Sequence, residues 1–242
     1  MIFPNFYHLG LLIWCALNIV IHAYNLDERL EPQGPLGVRL DYNLATSWPE
    51  PLTKKGKQVL SKITDGQLWQ MAYDAYDEMT TEMGRYGVRA KKDVSTGLTI
   101  LAFRNEIILS SMVKGLGAFA YDYPPSLVSK SLQLCQITWE TGRGKEGEIH
   151  KNQGSCGEVM AVQLYYTIHD SPLAEQNARV GAVLFSKDNQ KLVRTPPCGT
   201  GRSDIWGCNL LVSREGLIVL DESIEVESYD LKDLAGGLDT IG

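Results

Sequence analysis

Between Cys156 and about His169 the chain carries Val159, Val162, Leu164, Tyr165, Tyr166 and Ile168, which a helix would spread nearly all round its circumference. A helix without a polar face has to be covered on every side. Such a helix lies between other elements, and the expected cover is a sheet. Ser155 is its expected N-cap, and Ser155 with Glu158 forms the Ser-x-x-Glu pattern of a capping box.

The flanking sequence supplies the cover. "TDGQLWQMAYDAYDEMTTEMG" has Thr64 or Asp65 as N-cap, and Leu68, Met71, Ala75, Met79 and Met83 recur at helical spacing up to Gly84. "GLTILAFRNEIILSSMVKG" places two apolar runs on either side of Arg104 and Asn105, the pattern of a β-hairpin. A helix carrying Cys135 follows the Pro124–Pro125 break, then a polar, Gly-rich loop. Beyond the buried helix, "ARVGAVLFSKD" reads as a third strand, "LVRTPPCGTGRSDIWGCNLLVSREG" as a loop leading into a helix, and "LIVLD" as a fourth strand. Strands alternating with helices in this half imply parallel neighbours, whereas the hairpin is antiparallel. The expected fold is α/β: three α-β-α layers around a mixed sheet.

The ends differ from this middle. Residues 1–23 contain the uncharged run "LGLLIWCALNIVI" and close on Ala23, the pattern of a secretory signal peptide. The run is shorter than the roughly 20 apolar residues that span a bilayer, so no stable membrane insertion is expected after its removal. Residues 24–63, with Pro32, Pro35, Pro49 and Pro51, read as an irregular arm laid over a domain at 64–221. Residues 222–242 read as an acidic, mobile tail, since the stretch from Asp221 holds seven acids against Lys232 alone. The leader carries no charged side chain, so its removal leaves the net charge at −6, which argues against a broad polyanion-binding face. The expected location is extracellular.

Cys156 admits three readings. "KNQGSCG" is similar to the segment before the nucleophile of papain-like proteases, but that pattern puts Val159 where the attacking thiol belongs. A second reading pairs the four cysteines left after the leader, most simply as Cys198–Cys208 and Cys135–Cys156, in a secreted, non-catalytic effector or interaction protein. Glu158 is then only a helix cap.

The third reading rests on Cys156-x-Glu158 at the start of a buried helix, then a strand, then Pro197-Cys198 and Cys208 at another helix start. This order resembles the zinc-dependent cytidine deaminase-like superfamily, whose motif is His- or Cys-x-Glu followed by Pro-Cys-x-x-Cys. The resemblance covers most of residues 64–221 and points to the secreted toxin and effector branch, including fungal proteins. It implies a zinc ion held by Cys156, Cys198 and Cys208, with Glu158 moving a proton from water to the leaving amine. The implied substrate is a nucleobase, nucleoside or nucleic acid, and the implied partner a component of a target cell. Nine residues separate Cys198 from Cys208 where the family usually has two; loop closure costs grow slowly enough for both sulfurs to reach one metal. His150 and Cys135 are substitutes outside the motif. Trp206 offers a stacking wall for a planar base, and Arg202 a contact for phosphate.

Overall fold

The computed structural model describes residues 30–38, 45–47, 63–86, 95–104, 106–112, 125–144 and 147–231. The leader, most of the arm and residues 232–242 lie outside the described residues.

Helix α1 (Asp65–Arg85) starts as its sequence dictates. Thr64 accepts from the Gln67 amide and Gln67 returns the bond to the Thr64 amide, a complete capping box. Its buried stripe includes Leu68, Met71, Ala72, Ala75, Met79 and Met83. The hairpin follows as strands β2 (Gly97–Phe103) and β3 (Glu106–Ser111), with Arg104 at φ 44° in the turn. A three-residue strand β1 (Ala45–Ser47), inside the stretch read as an irregular arm, pairs antiparallel with β3.

Helix α2 (Leu127–Arg143) is capped by Ser126 and holds Cys135; the all-apolar helix is α3 (Gly157–Ile168). Strand β4 (Arg179–Ser186) turns into β5 (Lys191–Thr195), which the sequence reading takes as loop. Helix α4 (Cys208–Arg214) and the two-residue β6 (Ile218–Val219) complete the domain.

The sheet runs β1-β3-β2-β4-β5, with β6 also beside β4. It is mixed, as expected, but β4–β6 is its one parallel pair among the described residues; β5 turns the expected crossover into a local hairpin. Strand β4 shares one edge between two partners: Arg179 and Val180 pair with β6, and Ala182 to Ser186 pair with β5. The chain leaves this edge at Thr195 and returns at Ile218.

β2 is buried along its whole length because both its faces are covered. Leu98, Ile100 and Ala102 join the core beneath α1, while Leu101 and Phe103 join the core formed with α2, α3 and α4. This period-two division makes three layers, α-β-α.

The described part of the acidic stretch lies against α1 and β5. Arg194 donates to the carbonyls of Glu222 and Ile224, Thr64 Oγ1 donates to Glu227 (2.8 Å), and Tyr229 donates to Asp74 (2.9 Å). The Glu225 carbonyl passes so close to Gly66 that a Cβ there would lie 2.5 Å from it. Residues 222–229 are therefore a strap across the start of α1, held by side chains that charge counting does not reveal.

Candidate functional site

Three connections converge on the face of the sheet opposite α1. The turn before α3 brings His150, the start of α3 brings Cys156, and the loop from β5 into α4 brings Cys198 and Cys208. Their Nε2 and Sγ atoms all lie within 4.8 Å of one another, and three of the side chains are buried. Cys156 Sγ is 3.6 Å from Cys198 Sγ, and His150 Nε2 lies 3.4 Å from Cys208 Sγ and 3.7 Å from Cys198 Sγ. A tetrahedron with bonds of about 2.0–2.3 Å has edges of about 3.3–3.8 Å. The cluster can hold a metal ion such as zinc.

Close approach of backbone explains the glycines here. A Cβ on Gly157 would lie 2.3 Å from Thr99 Oγ1, so the first turn of α3 sits directly on β2, where Ser110 of β3 also donates to the Gly157 carbonyl (2.8 Å). A Cβ on Gly207 would lie 2.5 Å from both Cys198 Sγ and the Cys198 carbonyl. The Cys198–Cys208 loop is closed by Cys208 N–H donating to Cys198 Sγ (3.2 Å) and Asn209 N–H donating to the Cys198 carbonyl (3.0 Å). Nine intervening residues thus bring both sulfurs to one point.

The disulfide pairings are not formed. Cys135, Cys156, Cys198 and Cys208 are all free, and 3.6 Å between the sulfurs of Cys156 and Cys198 is far beyond a bonded separation of about 2.05 Å. Cys135 belongs to the apolar core under α2, where burial pushes its thiol up to about 11.

Inside the cluster the thiols share charge unequally. Hydrogen bonds from Cys156 and Cys208 push Cys198 down; the hydrogen bond to Cys198 pushes Cys156 up, and burial pushes Cys208 up. Glu158, 6% exposed, is pushed up to about 7 by burial, with the Cys208 thiol as one of its hydrogen-bond partners. The N-cap of α3 is Cys156, not Ser155 as expected; the Cys156 side chain makes no cap hydrogen bond, and the Glu158 carboxylate accepts from its own backbone amide in the first turn. Glu158 borders a cleft of about 240 Å³ together with Thr99, Asn152, Cys156, Pro197 and Arg202.

Of the residues singled out from sequence, Cys156, Cys198, Cys208 and Glu158 come together. Arg202 lies on the cleft rim, exposed, with its guanidinium paired to Asp204 at 2.9 and 2.8 Å. Trp206 is not a wall of the cleft. It is buried to 1%, its indole N–H donates to the Glu148 carbonyl (2.8 Å), and its ring meets His150 edge-on at 5.3 Å. Sequence reading leaves His150 outside the site because motif spacing counts from Cys156 forward; its position just before a turn into the cysteine is the available signal.

No protein-family model matches this sequence, and no curated protein or solved structure gives a significant match.

Proposed function

We propose that this protein is a zinc-dependent hydrolase that removes an exocyclic amino group from a nucleobase or nucleoside, with Cys156, Cys198 and Cys208 holding the metal and Glu158 carrying the proton. The observation behind this reading is Glu158 itself: a buried carboxyl beside the thiols, on the wall of a cleft that also reaches Cys156 and Cys198. The motif resemblance to the deaminases assigns the same four residues these roles.

Zinc at such a site supplies a Lewis acid that brings the acidity of water towards neutrality. Glu158 takes a proton from the attacking water and delivers one to the exocyclic nitrogen, which leaves as ammonia while the ring carbon gains its carbonyl oxygen. A cleft of about 240 Å³ lies under the roughly 300–1,000 Å³ of drug-sized ligand sites, which favours one planar ring over a long polymer. The net charge of −6 favours the small substrate as well. The leader-like residues 1–23 support action outside the producing cell, on a target cell's component or an extracellular nucleoside.

The convergence of four donors supports a second reading, in which a closed Cys₃His set holds a purely structural zinc in an interaction protein. Ammonia release from a panel of bases, nucleosides and single-stranded nucleic acids separates the two. Under the first reading the zinc-loaded protein releases ammonia and Glu158→Gln loses it while keeping zinc. Zinc-loaded wild-type protein inert on the whole panel would leave the structural reading standing.

A further inference from the structure

We infer that His150 is not a metal ligand but the donor of an N–H···S hydrogen bond to the cluster, so that a bound metal is held by three cysteines and its fourth position is not taken by this histidine. The inference rests on the cluster binding a metal and is independent of deamination.

The distances from His150 Nε2 to the sulfurs, 3.4 and 3.7 Å, suit either a shared metal or a direct hydrogen bond. The other ring nitrogen decides between them. His150 Nδ1 accepts from two backbone amides, Asn152 N–H at 3.1 Å and Gly154 N–H at 3.2 Å. A nitrogen that accepts carries no hydrogen, and a neutral imidazole then has its one hydrogen on Nε2. Nε2 therefore points an N–H, not a lone pair, at Cys208 and Cys198. Metal-bound histidines show the reverse arrangement, with the remote nitrogen donating to a carbonyl or carboxylate.

The turn that presents the two amides is built into the backbone. Gln153 (φ 53°) and Gly154 (φ 71°) lie in the left-handed region, and Gln153 N–H closes back on the His150 carbonyl at 2.8 Å. Rotating the ring by 180° would set carbon atoms against both amides, and Gly154 is buried. The Trp206 ring packs against the imidazole at 85°, with the ring centroids 5.3 Å apart.

Each sulfur then has its own N–H donor. Cys156 receives one from Asn152 Nδ2 (3.1 Å), Cys198 from the Cys208 backbone (3.2 Å), and Cys208 from His150. Three thiolates on a divalent ion leave one excess negative charge in a buried site, and N–H donors to sulfur offset it. His150 and Cys208 do not border the cleft, whereas Cys156, Cys198 and Glu158 do.

The test is X-ray absorption at the zinc edge of the zinc-loaded full chain, with ¹⁵N-histidine spectra of the same sample. The expected result is three sulfurs and one light atom without the outer-shell signature of imidazole, and a hydrogen on His150 Nε2. An imidazole signature with the hydrogen on Nδ1 would overturn the role of His150 and leave the metal site intact. Failure to bind stoichiometric zinc would overturn the metal reading itself. Two variants add a readout that a mere packing role would not move. His150→Gln, which keeps an N–H, holds zinc within a few-fold of wild type, and His150→Ala weakens it by about 10–100-fold. Equal loss in both variants counts against the hydrogen bond.

Discussion

Two helix starts in this protein carry the same local signature and use it differently. Thr64-Asp-Gly-Gln67 opens α1 and Ser155-Cys-Gly-Glu158 precedes α3, each a hydroxyl followed three residues later by a carboxyl or carboxamide. At α1 the two side chains close on the backbone and the box is complete. At α3 the helix begins one residue later, with Cys156 as an N-cap that makes no side-chain cap bond, and Glu158 borders the cysteines and the cleft. A capping pattern is thus permissive: the box forms only where nothing across the chain competes for its side chains. At α3 the competitor is the Cys198–Cys208 loop.

The largest expected contrast between the two starts is catalytic. Glu158→Gln should lower the rate of ammonia release by about 10²–10⁴-fold, the usual worth of a positioned acid–base group. Gln67→Ala should leave that rate alone, and steady-state assays of both variants side by side would expose a wrong assignment. Chelation should affect only the α3 face. Zinc at 100–1,000 times its Kd stabilises by about 2.7–4.1 kcal/mol, so removing it should lower the melting temperature of wild-type protein but not of Cys208→Ser, which is already depleted.

Smaller effects refine the comparison. Gly207→Ala forces a Cβ onto Cys198 and should cost about 1–3 kcal/mol in denaturant unfolding, with zinc content falling in parallel. Thr64→Ala should cost about 1–2 kcal/mol with zinc content unchanged, since the cap and the bond to Glu227 that it removes both lie away from the cysteines. The smallest expected signal is at Cys135. Its buried, protonated thiol should resist alkylation in the native protein whether or not zinc is present, while Cys198 becomes reactive on chelation; peptide mapping after a timed alkylation distinguishes them.

The sequence reading finds α1 from its helical spacing, the hairpin and β4 from apolar runs, α2 after the Pro124–Pro125 break, α3 from its apolar circumference and α4 after the loop from Cys198, and the three motif cysteines come together. It misses β5 because Lys191 to Thr195 has no fully buried position and runs into Pro196–Pro197, so no apolar face marks it. It misses β1 because three residues are too short to show a period. It misplaces Trp206, which neighbours a motif cysteine in sequence but packs behind the cluster, and it passes over His150, whose role depends on two backbone amides that no side-chain pattern encodes.

The strap over α1 has a consequence in time. The bonds that tie it and the adjoining Asp221 to α1 and its cap join residues 152 to 163 positions apart: Trp69 to the Asp221 carbonyl, Asp74 to Tyr229, and Thr64 to Glu227. Contacts of such long sequence separation form late in folding, after their loop-closure entropy has been met. During synthesis this helix is made long before the strap, and its N-terminal end stays uncovered until the residues near 229 are free to fold back on it. The layer opposite the cysteines is begun first and finished last, and a nascent chain that stalls before the strap leaves the Trp69 end of that helix exposed.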